Sequence, residues 1–169
     1  MPKTFFDFSE MKIGCLHQNG FTNTVKRNQF KTILVELLTA LELFSTYDFE
    51  DQAEEVDNCH EVKVEYMKTR IGELLGWKKQ EINDLERKQI WQIPFGKEAR
   101  LFGILKKIRY QGATNSFQAL ILDPNHKVYR PSSKENFPII ENSVCLFAEK
   151  DECWEVIKQK KLTKKRKRS

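Results

Sequence analysis

The stretch RLFGILKKIRYQGATNSFQALILDPNHKVYR, residues 100–130, constrains the fold more than any other part of the chain. Two runs of strand-forming residues flank a small polar segment, QGATNS at 111–116, and the second run stops at Asp123-Pro124-Asn125. In residues 99–108 alternation puts Phe102, Ile104, Lys106 and Ile108 on one face of a strand and Leu101, Gly103, Leu105 and Lys107 on the other. Both faces are apolar at the start of that strand. Residues 117–122 are a near-continuous apolar run of the kind found in a sheet centre. Proline cannot donate to a ladder, so Pro124 ends the pairing. The stretch predicts a β-hairpin at the centre of an antiparallel sheet.

The rest of the chain supplies helices and shorter strands. Ile33, Leu34, Leu37, Leu38, Leu41 and Phe44 recur at helical spacing, which predicts a helix over 28–45 with Asn28 as its cap and this stripe in the core. Residues 47–61 are acidic and weakly periodic, a surface loop or loosely packed helix. A second helix is expected over 62–75, with Val64, Met67, Ile71, Leu74 and Leu75 inward, Gly76 as its C-cap and Trp77 packing just beyond. Residues 78–89 predict a short surface helix, and residues 90–95 a strand stopped by Pro94. Residues 2–20 contain one strand and end on the turn dipeptide Asn19-Gly20. After a Pro-, Ser- and Asn-rich loop at 131–138, Ile139-Ile140 and residues 144–148 predict a last strand and 149–159 a last helix. The expected architecture is α+β, with N-terminal helices packed on a small antiparallel sheet in one domain, residues 1–157, and a basic flexible tail at 158–169.

Charge is strongly segregated. Residues 1–62 carry a net −6, residues 63–130 a net +7, residues 131–157 a net −4 and the last twelve residues a net +8. An anionic partner is therefore expected at the central segment or the tail rather than over the whole surface. No apolar run approaches the roughly 18–20 residues that span a membrane, and the expected compartment is the cytoplasm. The four cysteines, Cys15, Cys59, Cys145 and Cys153, form no CxxC pair and are expected to be reduced thiols. A mixed metal site from Cys15, His17, Cys59 and His60 is the sharper alternative, but its spacings are not the usual ligand spacings. A cation site from Asp48, Glu50, Asp51 and Glu54 lacks the calcium-loop spacing with its central glycine. No phosphate-cradling glycine loop, carboxylate pair or HExxH motif occurs, so neither metal nor cofactor is expected.

What remains is a set of basic and aromatic side chains at predicted strand ends: Arg100, Lys106, Lys107, Arg109, Tyr110, His126, Lys127, Tyr129 and Arg130. Such residues suit metal-independent RNA cleavage, in which a 2′-hydroxyl attacks the neighbouring phosphorus. That step needs a proton acceptor, a donor to the leaving oxygen and cations facing the charge on the phosphorane. Histidine serves as either proton partner near neutral pH, and arginine and lysine clamp phosphate. His126 and Tyr129 are three apart and share no face of a regular strand; they converge only if the Asp123-Pro124 break turns the chain. The plainer reading is that His126 satisfies turn carbonyls and the lysines are a solvated strand end.

The run IWQIPFGKEARLFGIL leading into SFQALILDPNHKVYR, with its Arg-Leu-x-Gly and Asp-Pro-x-His-x-x-Tyr patterns, resembles the RelE/HigB-type bacterial toxin superfamily over roughly residues 60–130. The resemblance implies a small endoribonuclease acting on messenger RNA, free or ribosome-bound, and neutralised by an antitoxin protein. Under it Arg100 corresponds to the family's strand arginine, and His126 and Tyr129 to catalytic positions near the terminal strand. Lys106, Lys107, Arg109, Lys127 and Arg130 would hold the RNA. The competing expectation is a non-catalytic nucleic-acid-binding or phage/plasmid accessory protein. Its contact would be the tail, with Lys164, Lys165, Arg166, Lys167 and Arg168 neutralising phosphates. A third expectation has the acidic segment 46–61 docking another protein.

Overall fold

A computed structural model describes residues 3–12, 17–18, 21–110, 112–126, 128 and 143–145. Its centre is a meander of three antiparallel strands, β6 (Ile90–Phe95), β7 (Ala99–Tyr110) and β8 (Ala113–Asp123). Two edge strands come from the N-terminal half. β5 (His60–Glu61) pairs antiparallel with β6, and β1 (Thr4–Asp7) lies parallel to β8, giving the order β1-β8-β7-β6-β5. The sheet is thus mixed, not purely antiparallel as the sequence suggested. Its helices fall between strands of the N-terminal half rather than preceding the sheet as a block. Two small ladders complete the fold, β2 (His17–Gln18) with β3 (Phe21–Thr22), and β4 (Thr24–Lys26) with β9 (Ser143–Cys145).

Both sheet faces are covered. On one face α1 (Phe30–Thr46) and α2 (Phe49–Glu55) contribute to a core with Ile93, Phe95, Leu101, Leu105, Phe117 and Leu122. On the other face α3 (Glu65–Leu75) packs Met67, Ile71 and Leu74 against Ile90, Phe102, Ile104, Leu120 and Ile121, and α4 (Lys79–Glu86) lies against α3. The two-residue period of β7 sorts Leu101 and Leu105 to one core and Phe102 and Ile104 to the other, as alternation requires. A register shift between Phe102 and Gly103 leaves Leu120 as an extra residue of β8, so Leu120 and Ile121 both face α3. Gly103 permits this close approach. A Cβ there would lie 2.6 Å from the Gln118 carbonyl oxygen and would overlap the Phe117 ring.

Several expectations are corrected. The hairpin turn is much shorter than 111–116, because β8 begins at Ala113 and Gly112 turns the chain with φ of 83°. Thr114 and Asn115 are polar yet belong to the strand, where their amides donate to the Lys3 carbonyl. Pro94 does not stop β6; it pairs in register with Arg100, and β5 lies opposite only Trp91 and Gln92, leaving β6 with an open edge at the proline. Residues 47–61 are not a loosely packed surface segment. Asp48 caps α2, accepting the Glu50 amide, and Phe49 is fully buried.

In α1 only Phe44 is fully buried, while Ile33, Leu37, Ala40 and Leu41 pack partly against the core. Leu38 is 65% exposed and Val35 54%, because the apolar arc of the helix is wider than the strip that the sheet covers. Asn28 lies in a 3-10 turn, Arg27–Gln29, and α1 starts after Gln29 without a side-chain cap. Val64 is exposed at the N-cap of α3 rather than inward. The other end of α3 follows the sequence: Gly76 is left-handed at φ 74°, the Trp77 amide closes on the Gly72 carbonyl, and the indole packs on the core. The expected helix at 149–159, the tail, and the strand residues at 139–140 and 146–148 lie outside the described residues.

Candidate nucleic-acid interface

The sequence places Arg100 and Lys106-Lys107 six residues apart, but β7 runs straight between them. At about 3.4 Å per residue the two groups are about 20 Å apart, at opposite ends of the sheet. The expected single site therefore divides into two.

At one end Arg100 stands in register with Asp123, and both are buried, the arginine at 6% exposure and the aspartate at 0%. The guanidinium donates through Nη1 to the Ala99 carbonyl at 2.8 Å. The Asp123 carboxylate organises the turn that follows. Its Oδ1 accepts the Asn125 amide at 3.2 Å and its Oδ2 the Val128 amide at 2.7 Å. The Asn125 side chain then donates to the Thr24 carbonyl at 2.8 Å, tying the turn to β4. His126, half-buried, adopts φ of 53°, a left-handed conformation unusual for a non-glycine residue. The chain turns at Pro124 and Asn125. Tyr129, Lys127 and Arg130 lie outside the described residues, as do Lys164, Lys165, Arg166, Lys167 and Arg168. Arg100 itself is recessed from solvent.

At the other end β7 changes character. Its first seven residues are buried, whereas Lys106, Lys107, Arg109 and Tyr110 are exposed and Ile108 is half-buried. The Lys106 ammonium donates to Gln118 Oε1 at 3.0 Å, and Lys107 pairs with Glu50 at 2.7 Å. Both partners of that ion pair are more than half exposed, so it contributes at most about 1 kcal/mol and is open to competition by salt or a stronger anion.

Behind the lysines lies a polar network that sequence reasoning missed. Asp48 accepts from the Glu50 amide, the Thr114 hydroxyl at 3.1 Å and the Asn115 amide group at 3.3 Å. Burial raises the pKa of its carboxyl, but these donors and the charge of Lys107 outweigh it, so the net pKa lies below the ordinary value of 3.8. Asp7 is held low mainly by the amide of Ser9, with its hydroxyl next; burial opposes, and the charge of Lys106 adds a little. An aspartate followed by an acidic first turn, Glu50-Asp51, is the local signal of a helix start from which the Asp48 cap is readable.

The Asp48 network makes a pH-dependent expectation. A depressed folded-state pKa stabilises the protein above the unfolded carboxylate value and loses that contribution as pH falls through the folded one. Asp48→Ala is expected to cost about 0.5–2 kcal/mol at neutral pH, by loss of the cap. In urea unfolding the gap between wild type and variant should close below pH 3.8. A gap that persists unchanged at about pH 2.5 would show that the cap stabilises the helix without its charge.

Of the residues in the metal alternative, Cys59 and His60 are described. Cys59 is buried in the α1/α2 core, and burial pushes its thiol up to about 12, leaving it protonated and a poor ligand. The next residue, His60, points outward, its Nδ1 donating to the Glu61 carbonyl while Nε2 accepts from Gln92 at 2.9 Å. Cys15 and the His17 side chain lie outside the described residues. Among the described residues no group of three or more His, Cys, Asp or Glu side chains is placed to hold a metal ion, including the acidic set around Asp48. No described helix is long and apolar enough to cross a membrane.

Compared with known proteins, the sequence matches no curated protein and no solved structure. A family model described as uncharacterised protein UU032 matches residues 7–151, and the chain belongs to that family.

Proposed function

We propose that the protein binds nucleic acid, RNA being the class that the hairpin's resemblance implies, and that the end of the β7–β8 hairpin makes the contact. The observation that carries this reading is the switch in β7 from seven buried residues to the exposed set Lys106, Lys107, Arg109 and Tyr110. The pairing puts Lys106, opposite Ser116, on one side of the ribbon and Lys107, opposite Asn115, on the other, and a register shift after Lys107 brings Tyr110, opposite Ala113, to the Lys107 side. Cations on both sides of a narrow ribbon suit the phosphates lining a groove, and an exposed tyrosine offers a stacking surface for an unpaired base. With both faces of the sheet covered, an edge or end of the sheet is the part left for such a contact.

The test is the salt dependence of RNA binding. For single-stranded RNA, Lys106→Ala combined with Arg109→Ala is expected to lower the slope of log K against log salt by about 1.4, two phosphate contacts' worth. Tyr110→Ala should weaken binding about fivefold or more with the slope unchanged. An unaltered slope and affinity in the double variant would remove the hairpin end as the contact.

A second reading, cleavage of the RelE type at the other end, is favoured by the left-handed His126 beside the Arg100 and Asp123 register pair. Strained non-glycine residues cluster at active sites. RNA incubated with the protein in EDTA, with and without ribosomes, decides it. Cleavage that is lost in His126→Ala and reduced in Tyr129→Phe supports this reading, and cleavage unchanged in both removes the assignment.

A further inference from the structure

The outer surface of α1 is partly apolar. Lys31, Val35, Leu38 and Glu42 are all exposed and follow one another at intervals of four, three and four residues. That spacing aligns them in one stripe, on the side away from Phe44 and Leu37. The middle of the stripe is apolar, with Val35 and Leu38 more than half exposed, and its two ends carry opposite charges. Among the described residues neither Lys31 nor Glu42 has an ion-pair partner.

Two properties of this stripe identify what fits it. The first is symmetry. A two-fold axis midway between positions 36 and 37 sets Val35 of one copy opposite Leu38 of another, and the same axis sets Lys31 opposite Glu42. Both matches occur twice, which is the self-complementarity an isologous interface demands. The second is polarity. Lys31 is in the first turn of α1, where the helix dipole disfavours a cation, and Glu42 lies near the C-terminal end, where it disfavours an anion. Alone, the helix carries its charges the wrong way round. In an antiparallel pair each charge lies beside the opposite end of the neighbouring helix, where its sign is favourable.

We propose that the protein forms a two-fold dimer through α1 packed antiparallel to α1 of a second copy, with Val35 and Leu38 at the centre and Lys31–Glu42 pairs at both ends. The helix has 17 residues, a length of about 25 Å. A single pair of helices of that length buries an area at or below the low end for stable complexes, which places the dissociation constant in the micromolar range. The inference is independent of the RNA reading, since the hairpin end takes no part in it.

Sedimentation velocity on the full chain, from about 1 to about 200 µM, tests the proposal across that range. Wild type should pass from monomer to dimer. Leu38→Gln should raise the dissociation constant about tenfold or more by removing apolar contact at the centre. Lys31→Glu should raise it about fivefold or more, because both end pairs become repulsive. The same change improves the helix dipole, so its unfolding temperature measured as monomer should not fall, separating lost association from lost fold. The double reversal Lys31→Glu with Glu42→Lys should restore dimerisation to within about threefold, since each pair is inverted but intact. A monomer throughout the range, a dimer indifferent to Leu38→Gln and Lys31→Glu, or a double reversal no better than Lys31→Glu alone would each overturn the proposal.

Discussion

Replacing Phe49 with alanine is expected to destabilise the protein by about 3–5 kcal/mol, the range for truncating a fully buried aromatic. The ring is where two helices and two strands meet. Its centroid lies 5.2 Å from that of Phe44 on α1, 5.3 Å from Trp91 on β6 in an edge-on contact, and 5.6 Å from Phe117 on β8 in a stacked one. The surrounding rings are packed against one another and relax only in part, so a cavity is left. The loss also reaches α2, whose seven residues are too few to hold helical structure without tertiary anchoring. Asp48 caps that helix and holds Thr114 and Asn115, so a shift of α2 would loosen the hairpin end as well. Urea unfolding of wild type, Phe49→Leu and Phe49→Ala checks the expectation, with the leucine variant intermediate. A loss below about 1 kcal/mol for alanine would show that the cluster repacks and that Phe49 is not its centre.

Phe49 also illustrates what the sequence hides. It stands in a segment dense in acidic residues, YDFEDQAEEVDNCHE, whose average character is that of a solvated surface. A seven-residue helix has too few turns to display a period, so one buried ring and Ala53 leave no pattern. By contrast the strands of the central hairpin are legible, because alternation and a continuous apolar run survive over more than ten residues. The cap of α3 at Gly76 is legible because only its backbone freedom is needed there.

What local pattern cannot carry is pairing between distant segments. The parallel seat of β1 on β8 is such a case, as is the way Lys3 draws Thr114 and Asn115 into a strand. The functional residues suffer the same limit. Arg100 and Lys106 are neighbours in sequence, yet extended backbone carries them to opposite ends of the sheet. Asp48 and Thr114 meet only through the fold. Helical spacing identifies the Leu34–Leu38 side of α1 as apolar, but only the sheet's extent decides that Leu38 stays outside.

Asp123→Ala is expected to cost about 2–4 kcal/mol, the loss of a buried charged acceptor on which two backbone amides depend. Two consequences combine. The amides of Asn125 and Val128 lose their acceptor inside the protein, and the turn that carries Asn125 to Thr24 loses its organiser. Asp123→Asn keeps one acceptor oxygen and is expected to cost clearly less, though its amide group brings donors to a place where backbone amides need an acceptor. Chemical unfolding of the two variants measures both. If alanine costs less than about 1 kcal/mol, the carboxylate does not hold the turn, and its complete burial has another reason. The comparison also bears on function. A carboxylate that only braces the turn should leave the RNA affinity of the folded variant unchanged, because the hairpin end lies about 20 Å away. A carboxylate that orients His126 for proton transfer should instead remove cleavage in Asp123→Asn at temperatures where that variant is fully folded. The two ends of β7 can thus be assigned separately, since stability, binding slope and cleavage each report on a different one of the residues that the strand holds apart.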